Sequence, residues 1–269
     1  MTAAPPRAQG SVRLSTKRLG KTSVLNVFRQ SGSFKCLFPR TDGDALDAVL
    51  LNTAGGITGG DVFKFQGHAT EGTALTLTTQ ACERAYQAKP GPPGQISNLL
   101  KIDAGARLTW LPQETILFGG SALDRHLNID LTSGASVLMA ESWVFGRAAM
   151  GEVLTDIRLR DRIEIRKNGK PIFLDAMQFN GDLNAHLARP NIANGAGAMA
   201  LVVFVSSAAE GQLDAIRKML PETVAGATLV KNDLMVVRIL APNSFELRRV
   251  LIPILRRLSD DTLPRCWMI

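Results

Sequence analysis

Cysteine is almost missing from this sequence: Cys36, Cys82 and Cys266 are the three that its 269 residues contain, and they stand far apart. That spacing excludes the disulfide framework of a small secreted domain and offers no close pair of the kind a zinc site uses, so a reducing compartment fits best. Tyrosine is rarer still, with Tyr86 alone, and aromatic residues make up 6% of the chain. A nucleic-acid groove built on stacked aromatics has little to draw on, although a formal net charge of +7 would attract polyanions. The basic residues are spread along the chain, densest at Arg248, Arg249, Arg256, Arg257 and Arg265, and no nucleic-acid partner is expected. No apolar run approaches the ~20 residues of a membrane span, and the opening MTAAPPRAQGSVRLSTKRLGKTSV lacks the apolar core of a signal peptide. The expectation is a cytoplasmic chain without a membrane partner. Catalytic signatures are lacking too: His68, His126 and His186 sit in separate segments without HExxH spacing, and no GxSxG elbow is present.

What the chain does have is length and turns. It is long enough to bury about three quarters of its unfolded surface, and 24 Gly and 13 Pro punctuate an aliphatic sequence. No polar linker divides it, which points to a loose start over residues 1–10 and a single β-rich domain over 11–269. Val24 to Phe28 and Phe34 to Phe38 alternate with period two, as strands with one buried face do. From Ala48 onward, short apolar stretches such as AVLLN, ALTLTT, RLTWLP and SVLMAE are closed by Gly, Asn or Asp turns, a spacing that favours a large sheet protein.

Three of these stretches repeat one wording. GTALTLTTQ from Gly72, GARLTWLPQE from Gly105 and GASVLMAES from Gly134 start 33 and 29 residues apart. A strand-turn-strand unit at that period predicts stacked coils or paired sheets, because each unit buries its apolar face only against its neighbours. Three separate hairpins would read the same way. Helical spacing comes late, at Glu210 to Leu220 and at Phe245 to Leu258, where Pro253 predicts a kink or a break. ATLVKNDLMVVRIL between them reads as two strands. The expected fold is therefore mainly β, a large single-domain β-solenoid or stacked-sheet scaffold with two short α-helices near the C-terminus.

The Gly-rich segment LLNTAGGITGGD resembles a phosphate loop only at first sight. Asp61 follows Gly60 where a phosphate loop needs Lys and Ser or Thr, GxGxxG is not met, and VFKFQ after it alternates like a strand. The glycines are better read as tight-turn residues, with Asp61 either capping the turn or facing a functional surface. Glu114, Glu141 and Glu152 stand beside bulky apolar residues, where a charge needs a partner or water, and Arg147 lies between two of them. They predict either half-buried ion pairs or a polar, water-containing interior path. Imidazole and thiolate bind divalent transition metals, which makes His68, His126, Cys36 and Cys82 the candidates for a transient metal contact, with no tightly bound cofactor expected.

Several ordered phrases resemble one family, the urease accessory proteins UreD, also called UreH. LNTAGGITGGD is similar to its NxxGGxxGGD segment, TTQACERAY to its T-x-A-x-x-[KR]-x-Y stretch, LPQETILF to its PQExxxF strand, ESWVFGRAAMGE to its ExxxxGRxxxGE segment and LPRCW to its PRxW end. RQSGSFK and VVRIL extend the match from about Arg29 to Trp267. The resemblance implies a non-enzymatic scaffold that binds apo-urease, UreF and the GTPase UreG, passes nickel through an internal polar path, and assembles as a homodimer or with two copies of each partner. By motif position it marks Asp61, Gln113, Glu114, Glu141, Arg147 and Glu152 as path or interface residues, and Tyr86, Pro264, Arg265 and Trp267 as packing. Cys82 and Glu83 depart from the family wording. The competing reading is a β-solenoid carbohydrate-active enzyme using a carboxylate pair drawn from Glu114, Glu141 and Glu152.

Overall fold

The structure, a computed structural model, describes residues 6–41, 43–221 and 224–268. Its first half runs through β1 (Gln9–Leu19), β2 (Thr22–Gly32), β3 (Phe34–Leu37), β4 (Leu46–Asn52), β5 (Val62–Ala69), β6 (Ala74–Thr79) and β7 (Glu83–Ala85). Then come β8 (Gly94–Ile102), β9 (Arg107–Leu111), β10 (Thr115–Leu117), β11 (Ala122–Leu131), β12 (Ser136–Phe145), β13 (Ile157–Lys167) and β14 (Lys170–Gly181). The C-terminal part adds α1 (Leu183–Leu187), β15 (Ala198–Val205), α2 (Ala209–Met219), β16 (Ala225–Lys231), β17 (Leu234–Ala241) and α3 (Ser244–Leu258).

The strands form two facing sheets. One has seven strands in the order β14-β13-β11-β8-β5-β1-β2; the other has ten, along β16-β17-β15-β12-β9-β6-β4-β3, with the short β7 and β10 beside β12. The repeat is the builder of both. Each unit lays one strand in each sheet: β5, β8 and β11 are parallel neighbours in the first, and β6, β9 and β12 in the second. The turns that join them stack as well. Gly72, Gly105 and Gly134 all have φ between +64° and +76°, and one coil's turn bonds to the next, Gly72 N–H to Ala104 C=O and Thr132 N–H to Ile102 C=O. Parallel pairing excludes three independent hairpins and gives solenoid-like coils.

Covering explains the composition of each sheet. The outer face of the seven-stranded sheet is open, so its strands alternate: in β5, Phe63 and Phe65 are buried while Lys64 and Gln66 are exposed. The ten-stranded sheet carries α2 and α3 on its outer face, so β12 and β15 are buried on both sides. One core lies between the sheets and a second between the sheet and the helices, where Leu247, Leu251, Ile254, Leu255 and Leu258 of α3 are buried.

Three details differ from the sequence reading. Pro253 does not break α3, which runs from Ser244 to Leu258: it lies on the exposed side, where water can take the freed carbonyl, and the buried stripe continues past it. A third helix, α1, is capped by Asp182, whose side chain accepts from Ala185 N–H at 2.8 Å; its five residues are too few for a periodic signal. Gln9 and Gly10 already belong to β1, a strand whose alternation is broken by a register shift at Ser15/Thr16, both buried. Of the rest of the expected loose start, residues 6–8 carry no regular structure and residues 1–5 lie outside the described residues.

Candidate functional site

Polar residues occupy inward slots of the alternating strands at one level of the sandwich. Along β11 the inward positions are Leu123, Arg125, Leu127 and Ile129; along β13 they are Ile157, Leu159, Asp161 and Ile163; along β12 they include Met139, Glu141 and Trp143. Register places Arg125 directly beside Asp161. Its Nε and Nη2 donate to Asp161 Oδ1 and Oδ2 at 2.8 and 2.9 Å, a bidentate pair, and Nη1 crosses to the other sheet to donate to Glu141 Oε2 at 2.7 Å. Trp110 Nε1 donates to Glu141 Oε1 at 2.7 Å, and the guanidinium lies 4.2 Å from the centre of the Trp143 ring. None of the three charged residues is more than 4% exposed.

A single guanidinium thus stands between two buried carboxyl groups. Burial pushes the Glu141 carboxyl up from its ordinary value, against the pull of Arg125. Burial also works against the charge on Arg125, but Asp161 and Glu141 outweigh it and the guanidinium stays protonated.

Arg125 and Glu141 form the inner wall of a cavity of about 150 Å³ between the sheets. Asn98, inward on β8, Thr115 and Gln113 add polar groups to it, enough volume and partners for several waters. Gln113 Nε2 is buried and has no hydrogen-bond partner among the described residues. The cavity reaches the surface at Gly55, Gly56 and the exposed Gln80, Ala81 and Arg84. Half-buried Glu83 stands at this mouth, its carboxylate accepting from Asn52 Nδ2, and burial pushes it up from its ordinary value. Gly56 is irreplaceable by geometry: φ is +153°, and a Cβ there would meet the Tyr86 ring and approach Arg84 C=O to 2.7 Å.

The sequence-selected residues fall into three groups. Glu141 and Gln113 line the cavity, and Glu114 lies beside it. Glu114 is held by Arg248 of α3, whose Nη1 donates to Gln113 Oε1 at 2.9 Å and to Glu114 Oε1 at 3.1 Å. Arg248 Nη2 donates to the Trp267 carbonyl, tying the C-terminal turn to the cavity's edge. Asp61 is 5% exposed and caps the Gly-rich turn: Oδ2 accepts from Thr58 N–H at 2.9 Å and Oδ1 from Ala8 N–H at 2.8 Å. The alternative, a surface-facing Asp61, is not what the structure has, because both oxygens serve the turn and the entry to β1.

Arg147 and Glu152 make a third, separate unit on the loop after β12. Arg147 bonds Glu152, not Glu141, and its guanidinium lies 4.4 Å from the Phe118 ring. The Arg147 side chain, with the N–H groups of Gly119 and Arg147, holds the Glu152 carboxyl down at about 2, from an ordinary value of 4.5. A carboxylate lowered on folding contributes stability above its unfolded value and loses it as pH falls through the folded one. The amide resonances of Gly119 and Arg147 should therefore hold steady down to about pH 3 and titrate with a midpoint near 2. A titration centred near the ordinary carboxylate value would show that Arg147 does not restrain this loop.

The metal candidates are not brought together. His68 Nε2 and Asp103 Oδ2 are 2.7 Å apart, and His126 Nε2 and Asp124 Oδ1 are 2.9 Å apart, both pairs on the open outer face of the seven-stranded sheet. Cys36 is in the core, where burial pushes its thiol up to about 12. Cys82 lines the cavity; burial, then the nearby Glu114, pushes its thiol up to about 11. Neither is a thiolate near neutral pH. Among the described residues no three His, Cys, Asp or Glu side chains gather as a metal site. Of the residues expected to pack, Trp267 and Pro264 are buried, whereas Arg265 is exposed and Tyr86 rests one face on Phe118 with ring centroids 4.9 Å apart.

Glu114, Glu141 and Glu152 are each bound to a different arginine, so no free acid and base face each other across an open groove, as sugar hydrolysis requires. The family described as UreD urease accessory protein matches residues 8–268. The urease accessory protein UreD of Ruegeria pomeroyi is 56% identical over 258 residues, covering 96% of this chain and 100% of that protein. Its counterpart in Roseobacter denitrificans is 51% identical over 264 residues, covering 98% and 96%, and that of Methylobacterium sp. is 38% identical over 268 residues, covering 97% and 95%. The chain belongs to the UreD urease accessory protein family, a family of accessory proteins and not of enzymes.

Proposed function

We propose that this chain acts in the cytoplasm in the maturation of urease, as a scaffold that assembles with UreF and the GTPase UreG on apo-urease and lets nickel enter. The observation that carries the reading is the family match over 8–268. The polar cavity adds physical support: a divalent cargo cannot cross an apolar core without liganding or hydrating groups, and Glu141, Gln113 and Asn98 offer them inside this one. In this reading Glu141 and Gln113 face the cargo, Glu114 and Arg248 fix the cavity's edge, and Asp61 and the Arg147–Glu152 loop hold the shape of its surroundings. Nickel contact is transient, since the donors are dispersed and already bonded to one another.

Urease co-expressed with every accessory factor except this chain should emerge nickel-poor, and restoring the chain should restore the metal. Glu141→Gln, which keeps an acceptor for Trp110 but removes the charge, should give a folded chain that restores less nickel. Full nickel content without the chain would end the proposal; full content with Glu141→Gln would end only the role of the interior charge.

A further inference from the structure

The excess positive charge of this protein has an address. Eight of its Lys and Arg residues, and none of its Asp and Glu residues, fall within positions 1–40, so the rest of the chain is close to neutral. The even spread of basic residues along the sequence hides this, because the acidic residues are what is unevenly placed. In the fold these positions form β1, β2 and β3, one end of the sandwich.

Arg13, Lys17, Arg18, Lys21 and Arg29 are all exposed there. Among the described residues none of them has a carboxylate within ion-pair distance; Arg18 donates to the backbone carbonyls of Gly20 and Gly72. Arg13 and Arg29 are directly opposite each other in the β1–β2 ladder. Like charges in that arrangement cost stability, and no carboxylate among the described residues pairs with either. Lys64, opposite Ser11 on β5, extends the same basic face.

Beyond charge, β2 offers an open edge. It is the last strand of its sheet and is hydrogen-bonded to β1 alone. On its other side Ser23 N–H reaches Asp44 C=O, and among the described residues no strand pairs with residues 24–31 there. Val27, 39% exposed, shares the outward face with Arg29, and Leu19 and Leu37 are more exposed still. An open strand edge flanked by the basic side chains of β1 and by Arg29 suits an extended acidic peptide. It does not suit bases, for which the ribbon has no exposed aromatic platform, or a second copy, whose edge would carry the same charge.

We infer that the β1–β2 ribbon is the docking surface for an extended acidic segment of a partner protein, which adds as a strand along β2 and neutralises Arg13, Lys17 and Arg29. The inference does not depend on the maturation role. Strand addition supplies main-chain bonds, and the charges supply selectivity and rate of encounter.

The test uses the full chain and a fluorescent peptide of alternating glutamate and threonine. Binding by anisotropy should weaken with salt, and amides of residues 24–31 should gain protection from hydrogen exchange when the peptide is present. Arg13→Glu with Arg29→Glu keeps a like-charged pair, so the fold cost is unchanged, and should weaken the peptide by about tenfold or more. Arg13→Ser with Arg29→Ser should weaken it by about threefold, and Lys218→Glu with Lys231→Glu, elsewhere on the surface, should leave it alone. Equal loss in that last pair would overturn the inference. So would equal binding of a lysine–threonine peptide, tighter binding of oligothymidine or of phosphatidylserine vesicles, or dimerisation of the chain through residues 24–31.

Discussion

Arg125→Met is expected to lower the free energy of unfolding by about 3–5 kcal/mol, because it leaves Asp161 and Glu141 buried with no cation between them. A urea titration measures it, with an unchanged slope if only stability has altered. The cost comes from the orphaned carboxylates and not from the loss of a favourable ion pair. Replacing all three residues together, Arg125→Met with Glu141→Leu and Asp161→Leu, should therefore recover most of the loss, since apolar side chains of similar size fill the same inward slots without a desolvation penalty. If the triple variant is as unstable as the single one, the bond from one sheet to the other is itself what aligns them. If Arg125→Met costs less than about 1 kcal/mol, water from the adjoining cavity reaches the carboxylates and the cluster is not dry.

How far the site could be read beforehand follows from the same residues. Glu141 was visible because it interrupts an apolar run. Arg125 and Asp161 were missed, yet both break a period-two pattern at an inward position, LDRHLNIDL and IRLRDRIEI, and Asn98 does so in QISNLLKI. Counting parity within each strand, and asking which charged residues occupy apolar slots, would have found them. Their mutual contact was not legible, because it depends on the register between β11 and β13 and on the separation of the sheets, which no local pattern states. The repeat gave the coils because its period is local. Arg248 was out of reach for the opposite reason: on α3 it looks like one more basic residue of a helix's outer face, and its contact with Gln113 and Glu114 spans more than 130 positions.

That long reach ends at Trp267, the residue whose replacement should do most damage outside the interior cluster. Trp267 is 1% exposed, its Nε1 donates to Leu111 C=O at 2.9 Å, and the Arg248 guanidinium lies 5.0 Å from its ring. Trp267→Ala should lower the free energy of unfolding by about 3–5 kcal/mol through the cavity it leaves in the second core. Trp267→Phe, which fills most of the space but cannot donate to Leu111, should lose less, with about 1 kcal/mol of it from the hydrogen bond. The two variants separate packing from polar anchoring. Because the main-chain carbonyl of residue 267 still accepts from Arg248 in both, the side chain is tested without cutting the link to Glu114. Should Trp267→Ala unfold at the same urea concentration as the parent, the C-terminal turn is not part of the second core, and Arg248 must be fixed by Gln113 and Glu114 alone.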